Sequence, residues 1–507
     1  MIMKTKSFLF TAIATLVGFS AFATTDKEVV GGYGNSNTRV SLTSGDYNII
    51  LKAPEQDVTN DGTMFNAANV TITSLDGATN TAKIRWNFTS TLNVDINSAV
   101  DGDVYAINLN GNSTRFNVGH IYVKNTNASA TENTVAKIDV GDRLYFTTNN
   151  ATQKSTFNIS TNANIIGTKL EFSSAMTGGG YFIESGTTTH SVANSTFTTG
   201  TSLTVNSGAT FNATSDANFT FKTDSSFNIA KGASASFYKM SAYKTSTTNV
   251  LGALTFNGGK LTFGKLLIDG GSFTAQNLAG GTDARVVVAA ESSINNGGTM
   301  AIKGGLEVNK TTFTIGSTSG KLQFTDFSKE YEGRIILTDG KLVVGNSDVI
   351  ERISATGAKS DSVNILFNGQ SNELVVNSTI KIKQLYGYGD APELLVTLSD
   401  DVSAKLVLMS GKSSFNAAPD TTEAFVNIAN FGENRVFIAS VLDELTYSSK
   451  FTLKTTAGED IFFQKGSYNG MQGFWATTIS AVVPEPAEWA VIFGAIALGL
   501  AVYRRRK

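Results

Sequence analysis

The chain has 507 residues with 40 basic against 42 acidic side chains, no cysteine, 48 glycines and only five prolines. That balance, mildly acidic once the two ends are set aside, argues against a nucleic-acid binder, which needs clustered Lys and Arg to neutralise phosphates. Without cysteine there are no disulfide staples and no cysteine-built zinc sites, so stability has to come from a core and from backbone ladders.

Residues 1–23 read as a secretory signal peptide. Lys4 and Lys6 form the basic start, residues 8–19 the apolar stretch, and Ala21-Phe22-Ala23 a small-x-small cleavage site. Ala21 and Ala23 are the recognition positions, and signal peptidase is the implied partner. Polar Thr24-Thr25-Asp26 follow at once. Without residues 1–23 and 481–507, the exported region carries 34 basic and 40 acidic residues, a net charge of −6.

From 24 to 480 no convincing 3.6-residue amphipathic run occurs. Alternation dominates instead, as in Leu92-Asn93-Val94-Asp95-Ile96, Phe157-Asn158-Ile159 and Leu170-Glu171-Phe172. Period-2 patterning with β-branched and aromatic residues predicts strands with one buried face. Over 203–237, apolar-x-apolar units recur every eight residues, beginning at Leu203, Phe211, Phe219, Phe227 and Ala235. Turn formers such as Asn206-Ser207-Gly208 separate them. Further on the unit becomes Gly-x-apolar-x-apolar, as in Gly259-Lys260-Leu261-Thr262-Phe263 and Gly340-Lys341-Leu342-Val343-Val344. The segment 238–249 breaks the step and reads as a loop leaving the repeat.

Two architectures produce this pattern: an elongated parallel β-helix with three short faces per coil, or serial antiparallel sandwiches. The regular step, the three-residue units and the Asn, Ser and Thr slots favour the solenoid. Residues 24–390 then give about fifteen coils and a rod on the order of 70 Å at ~4.8 Å per coil. The repetitive body also resembles the passenger region of autotransporter-type adhesins. Residues 391–480, however, leave no room for the outer-membrane barrel that such proteins need.

Residues 391–480 have denser charge and longer predicted strands at 424–429, 435–439, 451–455, 461–464 and 473–479. They read as a β cap that covers the open end of the solenoid. Asp443-Glu444 are expected in a helical turn.

Chemistry-bearing residues are sparse. His120 and His190 are the only histidines, and neither lies in a Gly-x-Ser-x-Gly elbow. A polysaccharide-cleaving β-helix would use two carboxyls across one bond, and the candidates are Asp101/Asp103, Asp400/Asp401 and Glu459/Asp460. No Gly-His-Gly or Arg-x-Lys accompanies them in the exported region, so they read as solvated turns. Gly31-Gly32-Tyr33-Gly34-Asn35-Ser36 approaches a calcium-roll nonapeptide but has Ser where the carboxylate should be. No metal or cofactor is expected. Tyr386-Gly387-Tyr388-Gly389 is the best local candidate for stacking on a sugar.

The chain ends in three unlike blocks: Val483-Pro484-Glu485-Pro486, an uncharged stretch from Trp489 to Tyr503, and Arg504-Arg505-Arg506-Lys507. The prolines hold an extended strip. The stretch makes a helix of about 22 Å, shorter than the ~30 Å of a hydrocarbon core. Trp489 and Tyr503 bracket it, and the arginines stay on the cytoplasmic side. This order resembles the PEP-CTERM sorting signal, on Val483, Pro484, Glu485, Pro486, Trp489, Arg504, Arg505 and Arg506. The resemblance implies recognition by an exosortase, a membrane protease/transpeptidase, with the tail as substrate.

The expected fold is therefore all-β. A signal peptide (1–23) precedes a parallel β-helix (24–390), a β cap (391–480) and a sorting tail with a short transmembrane helix (481–507). The expected role is non-enzymatic: an exported structural or adhesive protein at the cell surface or in an extracellular polysaccharide matrix. The alternatives are a carboxylate-dependent polysaccharide lyase or hydrolase, and an unprocessed tail-anchored membrane protein.

Overall fold

A computed structural model describes strand backbones from Thr25 onward and, short segments aside, residues 91 to 479, with side chains from Asn93. Past Ile479 only Ala495, Ile496 and Arg504 are described. The cleavage site at Ala21 and Ala23, the glycines at 31–34 and Asp443-Glu444 lie outside the described residues.

The chain climbs three long parallel sheets, visiting each in turn. Thr201–Val205 lies on one face, Thr210–Ala213 on the next and Asn218–Phe221 on the third. Ser226–Ile229 then returns to the first of these and pairs in parallel on Thr201–Val205, with Ser202 opposite Ser226. The eight-residue step is thus one side of a triangular coil, and 24 residues close a turn. Parallel pairing between strands one coil apart excludes hairpin-linked sandwiches, whose neighbours run antiparallel. The three sheets hold 15, 16 and 16 described strands. At ~4.8 Å per strand the longer ones run for about 72 Å.

The core is a set of ladders running along the coils. On the face containing Thr201–Val205 one inward position reads Val94, Val123, Ile159, Ile183, Val205, Ile229, Val250, Ile268, Ile294, Ile315, Val344 and Val376. Every one of these side chains is fully buried. β-branched side chains suit a pleated surface, and burying each contributes roughly 1.5–3 kcal/mol. On the face containing Asn218–Phe221 the inward ladder is aromatic, with Phe146, Phe172, Phe197 and Phe221 in register.

The outward slots carry the polar residues, and they bond along the axis. Asn249 donates to Asn228 (2.7 Å), and Asn228 donates to Thr204 at 3.4 Å. Ser236 donates to Asn212 (2.9 Å), and the Thr210 and Ser234 hydroxyls pair at 3.1 Å.

Two expectations change. The segment 238–249 does not leave the coil: Lys239–Ala242 and Thr247–Val250 are strands of it. The step slips because the corner before Lys239 shrinks to the single residue Tyr238, which shortens that coil to 21 residues. Nor does the parallel stack end at 391. Glu393–Leu398, Ala424–Ala429 and Phe451–Thr455 continue one face in parallel register. One face does change hands. Its sheet finishes where Ile350–Ile353 pairs antiparallel with Lys359–Ser360. A fourth sheet then takes its place, with Ile380–Ile382, Leu406–Leu408 and Val436–Ala439 parallel. Phe462–Tyr468 and Met471–Thr477 then form an antiparallel hairpin, laid against Val436–Ala439. It gives that edge a paired neighbour instead of an open ladder.

Candidate functional site

The sorting residues Val483, Pro484, Glu485, Pro486, Trp489, Arg505 and Arg506 lie outside the described residues. Of that tail, Ala495, Ile496 and Arg504 are helical and exposed. Among the described residues no helix is long and apolar enough to cross a membrane.

The acidic candidates sit on exposed turns and strand ends. Asp101 accepts from the Thr131 hydroxyl (2.6 Å), and Asp103 lies 3.7 Å from the Lys137 ammonium. Asp400 accepts from Asn430 at 3.3 Å. Asp401 accepts the Ser403 backbone N–H at 2.9 Å. That bond first, then the Ser403 side chain, holds the Asp401 carboxyl below its usual range. Glu459 accepts from Thr455 (3.4 Å), and Asp460 pairs with Lys454 at 3.5 Å. Each carboxylate thus braces local structure and is tethered by a neighbouring donor. Among the described residues no group of three or more His, Asp or Glu could hold a metal ion.

The two histidines differ. His120 is partly buried, its Nδ1 is 2.8 Å from Thr156 Oγ1, and burial followed by the nearby Lys154 lowers its pKa. His190 lies wholly inside the coil, with Nε2 2.8 Å from the buried Ser195 Oγ. Burial pushes its pKa down to about 3, so the ring is neutral. A Ser–His contact of this length is the geometry of an activated nucleophile. Here both members are closed off from solvent among the rings of Tyr181, Phe211 and Phe219. The pair is an internal tie between two faces. It was legible only through strand parity, which turns His190 and Ser195 both inward.

Of the tyrosine pair, Tyr388 is tied down. Its hydroxyl bonds with Thr338 and Asn368, near Glu307 and Arg285, and burial raises its pKa. Tyr386 stands near Asp420. Sequence reasoning missed Arg435, which is 4% exposed. Its guanidinium donates to the carbonyls of Ser399 (2.6 Å), Asp401 (2.9 Å), Asn430 (3.1 Å) and Ala404 (3.4 Å). This clamps one coil's corner onto the next.

Two surface grooves stand out. One, of about 250 Å³, is lined by Gln370 to Glu373, Glu393 to Leu395 and Asn427. Its central groups are engaged. Asn372 donates to three backbone carbonyls, and Glu373 is held by Lys341 and Thr397. The other, of about 550 Å³, is an open notch at the contracted corner, lined by Asn194, Asp216, Asn218, Tyr238 and Lys239 among others.

These features define a parallel β-solenoid with an engaged polar exterior and a closed hydrophobic interior. No family model matches the chain, and comparison with curated proteins and with solved structures finds no match either.

Proposed function

We propose that this is an exported, non-catalytic surface protein, a solenoid rod with a structural or adhesive role at the cell surface or in an extracellular polysaccharide matrix. Its leader, residues 1–23, directs it to export and is removed by signal peptidase. Its tail, inserted in the membrane as a short apolar helix, presents Pro484-Glu485-Pro486 to an exosortase. The observation that carries the reading is the ordered tail itself: extended strip, apolar segment, basic stop. The fold supports it. A rod with stacked amide and hydroxyl ladders outside and a closed apolar interior is suited to spanning distance and presenting surface. The engaged state of Asp101, Asp103, Asp400, Asp401, Glu459 and Asp460 favours this role over a carboxylate-dependent lyase or hydrolase.

Mass spectrometry of surface-extracted protein tests it. The expected product lacks residues 1–23 and ends upstream of the apolar segment. An intact C-terminus at Lys507 would overturn processing and leave a tail-anchored membrane protein.

A further inference from the structure

The contracted corner has a geometric consequence. The corners leading onto the face of Asn218–Phe221 hold three residues before Asn194, four before Asn218, one before Lys239 and four before Leu261. Losing three residues at one corner steps the surface inward, and the open notch of about 550 Å³ sits at that step. Asn194, Asn218 and Lys239 stand in one row along the axis, each opposite the next in the parallel ladder. Tyr238 is the corner, with its side chain 38% exposed.

On other parts of the exterior several outward amides and hydroxyls bond to their neighbours along the axis, as Asn249, Asn228 and Thr204 do. Another exposed tyrosine, Tyr105, is covered by the Lys137 ammonium 4.8 Å from its ring centre. Among the described residues, Asn194, Asp216, Asn218, Tyr238 and Lys239 of the notch make no side-chain bond, and no cation or ring covers Tyr238. One concavity therefore gathers an open aromatic face, two free amides, one carboxylate and one ammonium. An aromatic wall with a few convergent polar groups is the composition of a small-molecule site. Asp216 and Lys239 balance, so the notch carries no net charge.

We propose that this notch binds a neutral hexopyranose unit of a polysaccharide. The Tyr238 ring stacks on the apolar face of the sugar. Asn194 and Asn218 accept and donate hydrogen bonds with its hydroxyls, Asp216 accepts from them, and Lys239 donates to a ring or hydroxyl oxygen. Openness to solvent along the axis lets the chain enter mid-polymer, with no end required. The proposal rests on the matrix-associated reading above and names the site for it.

The test uses the full chain in mild detergent, titrated calorimetrically with cellohexaose, maltohexaose, mannohexaose and the anionic hexagalacturonate. Binding of at least one neutral hexaose is expected. Tyr238→Ala should weaken it roughly tenfold or more, as for a central aromatic anchor, and Asn194→Ala should weaken it too. Tyr238→Phe should keep most of it, and Tyr243→Ala, at an exposed tyrosine outside the notch, should leave it unchanged. Circular dichroism of each variant confirms that the coils remain, and Asn194→Ala, on an exposed position, keeps the test open should Tyr238→Ala misfold. No binding of any neutral hexaose, tighter binding of hexagalacturonate, or indifference to both Tyr238→Ala and Asn194→Ala would overturn the site. Because the titration needs no tail processing, it can fail while the mass-spectrometric result stands, and the reverse.

Discussion

The ring of Phe172 lies 4.7 Å from that of Phe146 and within 6° of parallel to it. The same stacking continues to Phe197 (5.2 Å) and Phe221 (5.0 Å), so four rings form a column inside successive coils. Offset-stacked pairs contribute about 0.5–1.5 kcal/mol each beyond the area they bury. Phe172 has such a neighbour on both sides along the axis. Phe172→Ala should therefore cost about 3–5 kcal/mol, toward the upper end of the range for a buried aromatic. Phe172→Leu should cost less, since it keeps apolar volume and loses only the stack. Urea unfolding followed by far-UV circular dichroism reads both, and equal effects of Ala and Leu would show that the stack adds nothing to burial.

His190 makes stability depend on acidity. In the unfolded chain its imidazole takes up a proton near pH 6.5. In the folded protein burial delays this to about pH 3. Between those values the unfolded state binds a proton that the folded state refuses, so stability falls as the pH drops through this window. Above pH 6.5 the group contributes no slope. The maximum slope from one proton is about 1.4 kcal/mol per pH unit. His190→Gln can still bond to Ser195 and cannot take up the proton. The expected result is a shallower loss of thermal stability from pH 6 to pH 4 in the variant, with parallel curves above pH 7. Identical slopes in the acid range would show that His190 is not kept neutral by the fold.

How much of this was legible follows from the coil arithmetic. Where consecutive corners have nearly equal lengths, as from Leu203 to Phe237, the three faces print an eight-residue step on the sequence. That step was enough to predict a solenoid. The Val and Ile ladder is far longer but leaves no such trace, because its members are unevenly spaced. Val123 and Ile159 are 36 residues apart, whereas Val250 and Ile268 are 18 apart. Corners absorb the difference, so only pairing reveals the alignment. Tyr238 was misread for the same reason: a contraction at one corner looks like an exit when the step alone is followed. Strands 424–429 and 451–455 were placed correctly inside a segment taken for a cap. Local alternation reports a strand, but it does not report whether the partner is parallel or antiparallel. Arg435 was invisible as a clamp, since its acceptors are backbone carbonyls that no side-chain pattern marks.

That clamp leads to a sharp contrast between two substitutions. Arg435 is nearly fully buried, and its guanidinium serves carbonyls at Ser399, Asp401, Ala404 and Asn430. Arg435→Ala leaves those carbonyls short of donors and opens a cavity, at an expected cost of about 3–5 kcal/mol. Arg435→Lys keeps the charge but replaces a planar fork by a point donor, which cannot reach the same set of acceptors. Lys should therefore recover only a minor part of the loss. Hydrogen exchange checks the location: backbone amides at 401–406 and 430–436 should exchange faster in both variants. Full rescue by Lys would mean that the charge, through Asp401, matters more than the fork.

The contracted corner can also be tested for what holds it shut. Gly258, in the corner of the following coil, lies against the Tyr238 carbonyl so closely that an added Cβ would collide with it. Backbone there has no flexible end to move aside, so Gly258→Ala must push the two corners apart. Overpacking of this kind costs about 1–3 kcal/mol. The strain falls on one corner, and the flanking strands Ala253–Phe256 and Leu261–Phe263 keep their ladders. The expected outcome is a modest loss of global stability with a local change at Tyr238. Tyrosine exposure, read by near-ultraviolet absorbance or by proteolysis near residue 238, should rise while far-UV circular dichroism stays that of the parent. Gly208, with open space around its would-be Cβ but φ at +79°, is the control. Gly208→Ala should also destabilise, through backbone strain at its own turn, but it should leave the Tyr238 signal alone. If both variants changed that signal alike, close approach at Gly258 would not be what shapes the corner.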